Sequence, residues 1–356
     1  MAIGASGSQA AVPQTTPPAG LREKTPTWHA LVGAKIVIAP GKELPHGVLV
    51  MRDGVITAVG DDVLIPAGAQ VHRLPGKTIY PGLIDSGGTA ATPPLAAGAG
   101  TGYWNDQVRP EVRADEGYKP DAKANEAWRS QGVTARLLAP AVGIMHGTSA
   151  LVSTGDGESG RSMIRNQVAL HLQLTTDRSF HDSRYPNSPM GALTLVRQAM
   201  YDARWYESAW QAAGSNTKLP RPEHNTALAA LAGFAKQRLP VVIEAGDNLY
   251  LLRAVRIAKE FELPLIVRGS GDEYQLIDAV KAAGCPVLVP LDFPKPPNVS
   301  TPEKARNVSV SRLLEWDLAP ANPGRLQRAG VKIALSSHGL KDPAGLLPAV
   351  RRAVRR

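Results

Sequence analysis

The chain has 356 residues, more than the roughly 250 that one α/β barrel takes, so a large barrel with a small companion fits its length. Its net charge is +9, from 40 Lys and Arg against 31 Asp and Glu, but zinc-finger spacing, aromatic–basic interleaving and a long basic stripe are all missing, which argues against nucleic-acid binding. No run of 18 apolar residues is present, which argues against a membrane-spanning helix, and a single cysteine, Cys285, rules out any disulfide within the chain.

Residues 1–27 consist mostly of Ala, Gly, Ser, Thr and Pro. They carry too little apolar surface to repay ordering and read as a flexible leader. No basic n-region or apolar h-region opens the chain, so this stretch is not itself a signal peptide. It has the small-residue texture found after a signal cleavage site, and a periplasmic or secreted location is favoured over a cytoplasmic one.

From Trp28 the texture becomes short β-branched runs, WHALVGAKIVIAPG, HGVLVMRDGVITAVG and AQVHRLPGKTIY, divided by Pro40-Gly41, Asp53-Gly54 and Pro75-Gly76. Asp-Gly between two such runs signals a hairpin. Residues 28–80 read as a small antiparallel sheet, too short to close a sandwich alone, and so as an incomplete β-sandwich domain.

Beyond Tyr80 strands and helices alternate. Strands are expected at 78–85, 133–139, 150–153, 168–174, 239–244, 263–268, 286–290 and 331–336, and helices at 191–213, 223–237, 249–261, 273–283 and 321–329. Eight strands with helices between the later ones favour an α/β fold, a distorted parallel (β/α)8 TIM-like barrel over 81–340. The Gly-, Pro- and Ser-rich stretches 86–125 and 175–190 read as long loops over one end of it, the second among its more mobile parts. Cys285 opens the apolar run CPVLVP and reads as a buried thiol. Residues 341–356 read as a basic tail, the cut end of a helix.

The join GKTIYPGLID, followed at once by a barrel strand, resembles the amidohydrolase superfamily, in particular its imidazolonepropionase- and dipeptidase-like members. In that family a PGLID-x-H-x-H strand gives two histidines to a divalent metal, later strands give two more, and the last gives an aspartate. The resemblance places Gly87 and Thr89, or Ser86 and Gly88, in the first two slots, Glu244 and Arg268 in the next two, and His338 in the last. All five usual ligands are therefore replaced. The eight histidines show no His-x-His or His-x3-His spacing; His171 and His338 are the two placed on barrel strands. The stretch from Gly102 to Gly157 is most similar to the metal-free first domain of long bacterial proteins with two amidohydrolase-like domains in tandem.

That resemblance implies a non-catalytic structural or ligand-binding domain supporting a hydrolase. No cofactor is expected, nor a metal, and a small polar ligand fits. A second amidohydrolase-like domain or a homo-oligomeric partner would complete the sandwich. The alternative is an active hydrolase of amide or cyclic amide C–N bonds with an atypical site, which would need zinc or another divalent metal if it is metal-dependent. The strand-end candidates are Ser86, Glu244, Arg268, His338 and His171. Glu244 and Arg268 end consecutive strands and are expected to pair, the guanidinium supplying the charge of a metal, with His338 and Ser86 completing the hydrogen bonds.

Three other patterns carry little. Gly155 to Gly160 matches G-x-G-x-x-G, with Asp177 at the ribose spacing, but a strand-like stretch follows where a helix is required. Asn298 and Asn307 head short glycosylation-type triplets that are common by chance. LLPAVRRAVRR reads more readily as the solvated face of a barrel helix than as a membrane-surface helix.

Overall fold

The computed structural model describes residues 27–91, 102–155, 162–176 and 185–356. Residues 1–26 of the expected leader, the glycine-rich turn beyond Gly155 with Asp177, and residues 177–184 of the expected loop lie outside them. The chain divides into two compact units, Met1–Pro81 and Gly82–Arg356.

The first unit is one five-stranded sheet: β1 (Trp28–Ala39), β2 (Lys42–Arg52), β3 (Val55–Gly60), β4 (Gln70–Arg73) and β5 (Thr78–Ile79). The order is β3-β2-β1-β4, with β5 also on β1. The Asp53-Gly54 signal makes the β2–β3 hairpin. Both residues sit in the left-handed region, at φ 50° and 80°, as the two central positions of a type I′ turn require. The sheet is mixed, not antiparallel throughout, because β4 and β5 both run parallel to β1.

The second unit holds two sheets. Strands β6 (Leu83–Thr89), β7 (Val133–Ala139), β8 (Met145–Thr148), β9 (Ala150–Ser153) and β10 (Met163–Arg165) are followed by β11 (Leu170–Gln173), β12 (Val241–Glu244), β13 (Leu265–Arg268), β14 (Val287–Pro290) and β15 (Ile333–Ser336). One sheet runs β10-β9-β7-β6 and the other β15-β14-β13-β12-β11-β8. No closed sheet forms among the described residues, and the expected all-parallel pairing is corrected: β9 is antiparallel to β7, and β8 to β11. Ala150–Ser153 follows β7 after the ten residues 140–149, too short a link for a parallel crossover. The expected strand at 78–85 is split, since Thr78–Ile79 pairs in the first unit and Leu83–Thr89 opens the second.

The helices start where side chains cap them. Ser188, Asn225 and Asp247 accept the N–H of Gly191, Leu228 and Tyr250. They open α2 (Pro189–Ser215), α3 (Thr226–Gln237) and α4 (Asn248–Phe261); α1 (Ala122–Arg129) comes earlier. Each cap satisfies an otherwise orphaned N–H. The helix expected at 273–283 begins instead as a 3-10 turn, Glu273–Gln275, before α5 (Ile277–Ala283). The Glu273 carboxylate turns back to accept the N–H groups of Ser270 and Gly271, at 2.7 and 3.1 Å, and Asn322 also donates to it.

Alternation along the strands sorts the second unit into layers. Leu170, Leu172, Val241 and Ile243 pack with Leu195, Val196 and Ala199 of α2 and with Leu231 of α3. Val267, Val287 and Val289 pack with Leu251 and Val255 of α4, and Cys285 is buried in the same cluster. Burial pushes the Cys285 thiol up, away from the thiolate a nucleophile needs. With the apolar alternates turned to the helices, the other face of the strands carries His171, Gln173, Glu244 and Arg268.

Candidate functional site at the strand ends

Ladder register sets the row of polar side chains. Gln173 pairs with Glu244, and Glu244 with Arg268. His171 lies one pair deeper, opposite Val242 on one side and Gly147 on the other. Residues in register share a face, so the row is built by backbone hydrogen bonding before any side chain interacts.

Arg268 Nη1 donates to Glu244 Oε2 at 3.2 Å, with side-chain exposures of 9% and 30%. The structure thus joins the two residues as an ion pair. His338 Nε2 lies 3.9 Å from the other oxygen, Glu244 Oε1, within ion-pair range but beyond a hydrogen bond. Ser86 does not complete the network as expected: its Oγ is buried with no hydrogen-bond partner among the described residues. The preceding residue, Asp85, carries the hydrogen bonds of this strand end instead.

Asp85, 4% exposed, is the hub of the YPGLID segment. It accepts the N–H and the hydroxyl of Ser337, at 2.9 and 2.8 Å, the N–H of Gly87 at 3.1 Å and Arg136 Nε at 3.2 Å. Arg136 also lies over the Trp128 ring, 3.9 Å from its centroid. One carboxylate therefore ties β6 to the segment just after β15, across 252 residues of sequence.

His146, on β8, was not singled out by sequence pattern. It is 4% exposed and His171 is 2% exposed, and Nε2 of each lacks a hydrogen-bond partner among the described residues. Burial holds the His146 imidazole below its ordinary range, with Arg268 adding to this and Glu244 opposing it. Burial lowers His171 well below that range, helped by Arg268 and His146. Burial and then Arg268 lower His338, against Glu244, Asp292 and Asp85. The only sequence cue to His146 was a histidine inside the short apolar window GIMHGTS, and four residues carry too little periodicity to read as a strand.

Neutral buried imidazoles have a pH consequence. His146 and His171 bind fewer protons folded than unfolded. Their contribution is present above the unfolded value, about 6.5, and is lost as pH falls below it. Urea midpoints are expected to drop between about pH 7.5 and about pH 5.5, and His171→Gln is expected to flatten that drop. A midpoint that stays level or rises on acidification would contradict this.

No protein-family model matches the sequence, and no curated protein matches it; solved structures do. The chain has a mixed α/β fold similar to that of an amidohydrolase. An amidohydrolase from Thermotoga maritima aligns with a TM-score of 0.73 at 20% identity, over 92% of this chain and 83% of that one. An A. niger ochratoxinase aligns over 93% and 80% of the two chains with a TM-score of 0.47 at 13% identity. A Xaa-Pro dipeptidase aligns over 92% and 84% with 0.45 at 12%. The last two are too distant in shape to carry an argument, and the first establishes fold, not activity.

That fold implies a divalent metal at these strand ends, and the residues here do not fit one. Among the described residues no group of three or more His, Cys, Asp or Glu is placed to share a metal, whereas a closed or catalytic site needs at least three protein ligands. Whichever register holds, one of the first two ligand slots is a glycine, Gly87 or Gly88, and both of these glycines are closed off sterically. A Cβ on Gly87 would collide with the His338 backbone N and lie 2.6 Å from Ser337 Oγ, and one on Gly88 would lie 2.5 Å from Leu138 Cδ2 and 2.8 Å from the Leu137 carbonyl oxygen. Neighbouring backbone and side-chain atoms occupy the space a longer side chain would use at either glycine.

Proposed function

We propose that this protein is a metal-free, non-catalytic member of the amidohydrolase-like proteins, serving as a structural or ligand-binding domain beside a hydrolase. The observation that carries the reading is the packing of Gly87 and Gly88, which leaves no room for a histidine in one of the first two slots whichever register holds. The Arg268–Glu244 pair supports it: a fixed guanidinium stands where a dication would, and it raises the cost of any second cation nearby. The Asp85–Ser337 bonds support a distorted (β/α)8 barrel as the arrangement of the two sheets, since they join the first and last strands of the unit. Val55 and Ile56 on edge strand β3 are 65% and 61% exposed. An uncovered apolar edge of this kind supports a partner that completes the first unit.

The test is elemental analysis of the purified protein before and after incubation with zinc and desalting, alongside a Gly87→His/Thr89→His variant. Neither protein is expected to retain a stoichiometric transition metal, and the variant is expected to be less stable. Tight retention of one metal per chain by the unmodified protein would overturn the reading.

A further inference from the structure

Charge is unevenly spread along the chain. Residues 295–356 hold 12 Lys and Arg against 4 Asp and Glu, so a net +8 of the chain's +9 comes from this stretch. Asymmetry of this kind points to an anionic partner. The fold gathers much of the excess on the helix Leu346–Arg355 and the residue after it. Arg351 and Arg355 stand one turn apart, as do Arg352 and Arg356, and these four line one recess with Pro348. Like charges at that spacing are unfavourable, and no carboxylate of the described residues lines the recess. Arg356 Nη2 reaches Asp317 Oδ1 at 3.1 Å, and Arg352 lies over the Phe293 ring, 5.7 Å from its centroid.

This helix turns its apolar side to the core. Leu346 is buried, and Ala349 and Val350 pack on the same cluster as Trp128 and Leu291, which leaves the arginines outward. The helix Val310–Leu318 is the reverse case: Ser309 caps it, and none of its residues is buried. Val310, Leu313 and Leu314 share one side of it, at i, i+3 and i+4, and are 70%, 40% and 50% exposed. Asp317 comes next on that side, and it is the residue that Arg356 holds. The aliphatic row therefore runs up to the arginine cluster, where Val354 is a further 81% exposed aliphatic residue. A helix on a globular domain ordinarily buries its apolar row, and leaving one in water is unfavourable.

We propose that this face docks on an anionic membrane surface. The arginines meet the phosphodiester headgroups, and Val310, Leu313 and Leu314 enter the boundary of the acyl region. The apolar row decides between anionic partners. Nucleic acid rewards arginines equally, but it takes aromatic side chains to stack on its bases, and the exposed apolar residues of this face are aliphatic. Aliphatic side chains beside cations suit a lipid interface. The inference is independent of the strand-end site, since none of that site's residues takes part in it.

The experiment is co-flotation of the intact protein with vesicles of phosphatidylcholine alone, or of an equal mixture with phosphatidylglycerol. Flotation is expected with the anionic vesicles and not with the neutral ones. It should fall with added salt, as the Debye length shortens from about 10 Å at 0.1 M to about 3 Å at 1 M. Arg351→Gln/Arg355→Gln is expected to weaken partitioning about 20-fold, at roughly five-fold per cation near the surface. Val310→Gln/Leu314→Gln keeps every charge and introduces good helix formers. It is expected to weaken partitioning about ten-fold through lost apolar burial, and to leave retention on a heparin column unchanged. All four positions are exposed, so both variants should keep the urea midpoint of the unmodified protein. No flotation with anionic vesicles, equal flotation with neutral ones, or unchanged flotation of either folded variant would overturn the proposal. A single-stranded oligonucleotide that displaces the protein from the vesicles, and binds the Val310→Gln/Leu314→Gln variant correspondingly less, would overturn it in favour of nucleic acid.

Discussion

Asp85→Ala is expected to lower the free energy of unfolding by about 3 to 5 kcal/mol, the range for removing one partner of a buried charged network. Four donors converge on this carboxylate, two of them from Ser337, and the residue is 4% exposed, so no solvent replaces it when it is cut away. The deletion leaves the buried Ser337 N–H unsatisfied and the Arg136 guanidinium, over the Trp128 ring, without the Asp85 charge. Unsatisfied buried groups cost more than the bonds they made were worth. Asp85→Asn retains an acceptor but not the charge and should fall between. Urea unfolding followed by far-ultraviolet circular dichroism measures both. A loss below about 1 kcal/mol for the alanine variant, the level of an ordinary surface change, would show that the hub does not hold the two strands together.

Glu244→Ala and Arg268→Ala should each cost about 2 to 4 kcal/mol, with Glu244→Ala the more damaging. The asymmetry follows from burial. Removing Glu244 strands a guanidinium of 9% side-chain exposure beside His146 and His171, neutral rings that offer it no counter-charge. Removing Arg268 leaves a carboxylate that is 30% exposed, able to recover some hydration and within 3.9 Å of His338. The double variant should recover part of the summed loss, giving a coupling of about 1 kcal/mol or more. Stability measured for all four proteins closes the cycle. Strict additivity, or a larger loss for Arg268→Ala, would show that the pair is not the dominant interaction at the strand ends.

Legibility in the sequence followed the range of the interaction. The Asp53-Gly54 hairpin could be read directly, because a type I′ turn is set by two residues that tolerate positive φ. The late strands and helices could be read too, since Val241, Ile243, Val267 and Val289 alternate with polar or outward residues and the helices start at Ser188, Asn225 and Asp247. Strand β8 could not. Its four residues are stabilised by antiparallel pairing with β11, and His146 was hidden with it. The helix expected from Glu273 was misjudged for a similar reason: helical spacing in sequence does not reveal that the carboxylate is committed to the loop before it.

The candidate site divides along the same line. By itself the sequence determined the alternating strand–helix order of the second unit, the replacement of the usual residue at each of the five slots that the resemblance assigns, and the placement of Glu244 and Arg268 at the ends of consecutive strands. These are consequences of residue identity and local periodicity. Only the tertiary structure decided that Asp85 is spent on Ser337 and Arg136, that the Ser86 hydroxyl has no partner among the described residues, that His146 joins the buried group, and that Gly87 and Gly88 lie against backbone too closely for any side chain. Each of these depends on atoms brought together from strands far apart in sequence, and hydrogen bonding and steric exclusion act over a few ångströms of space regardless of how many residues separate the partners.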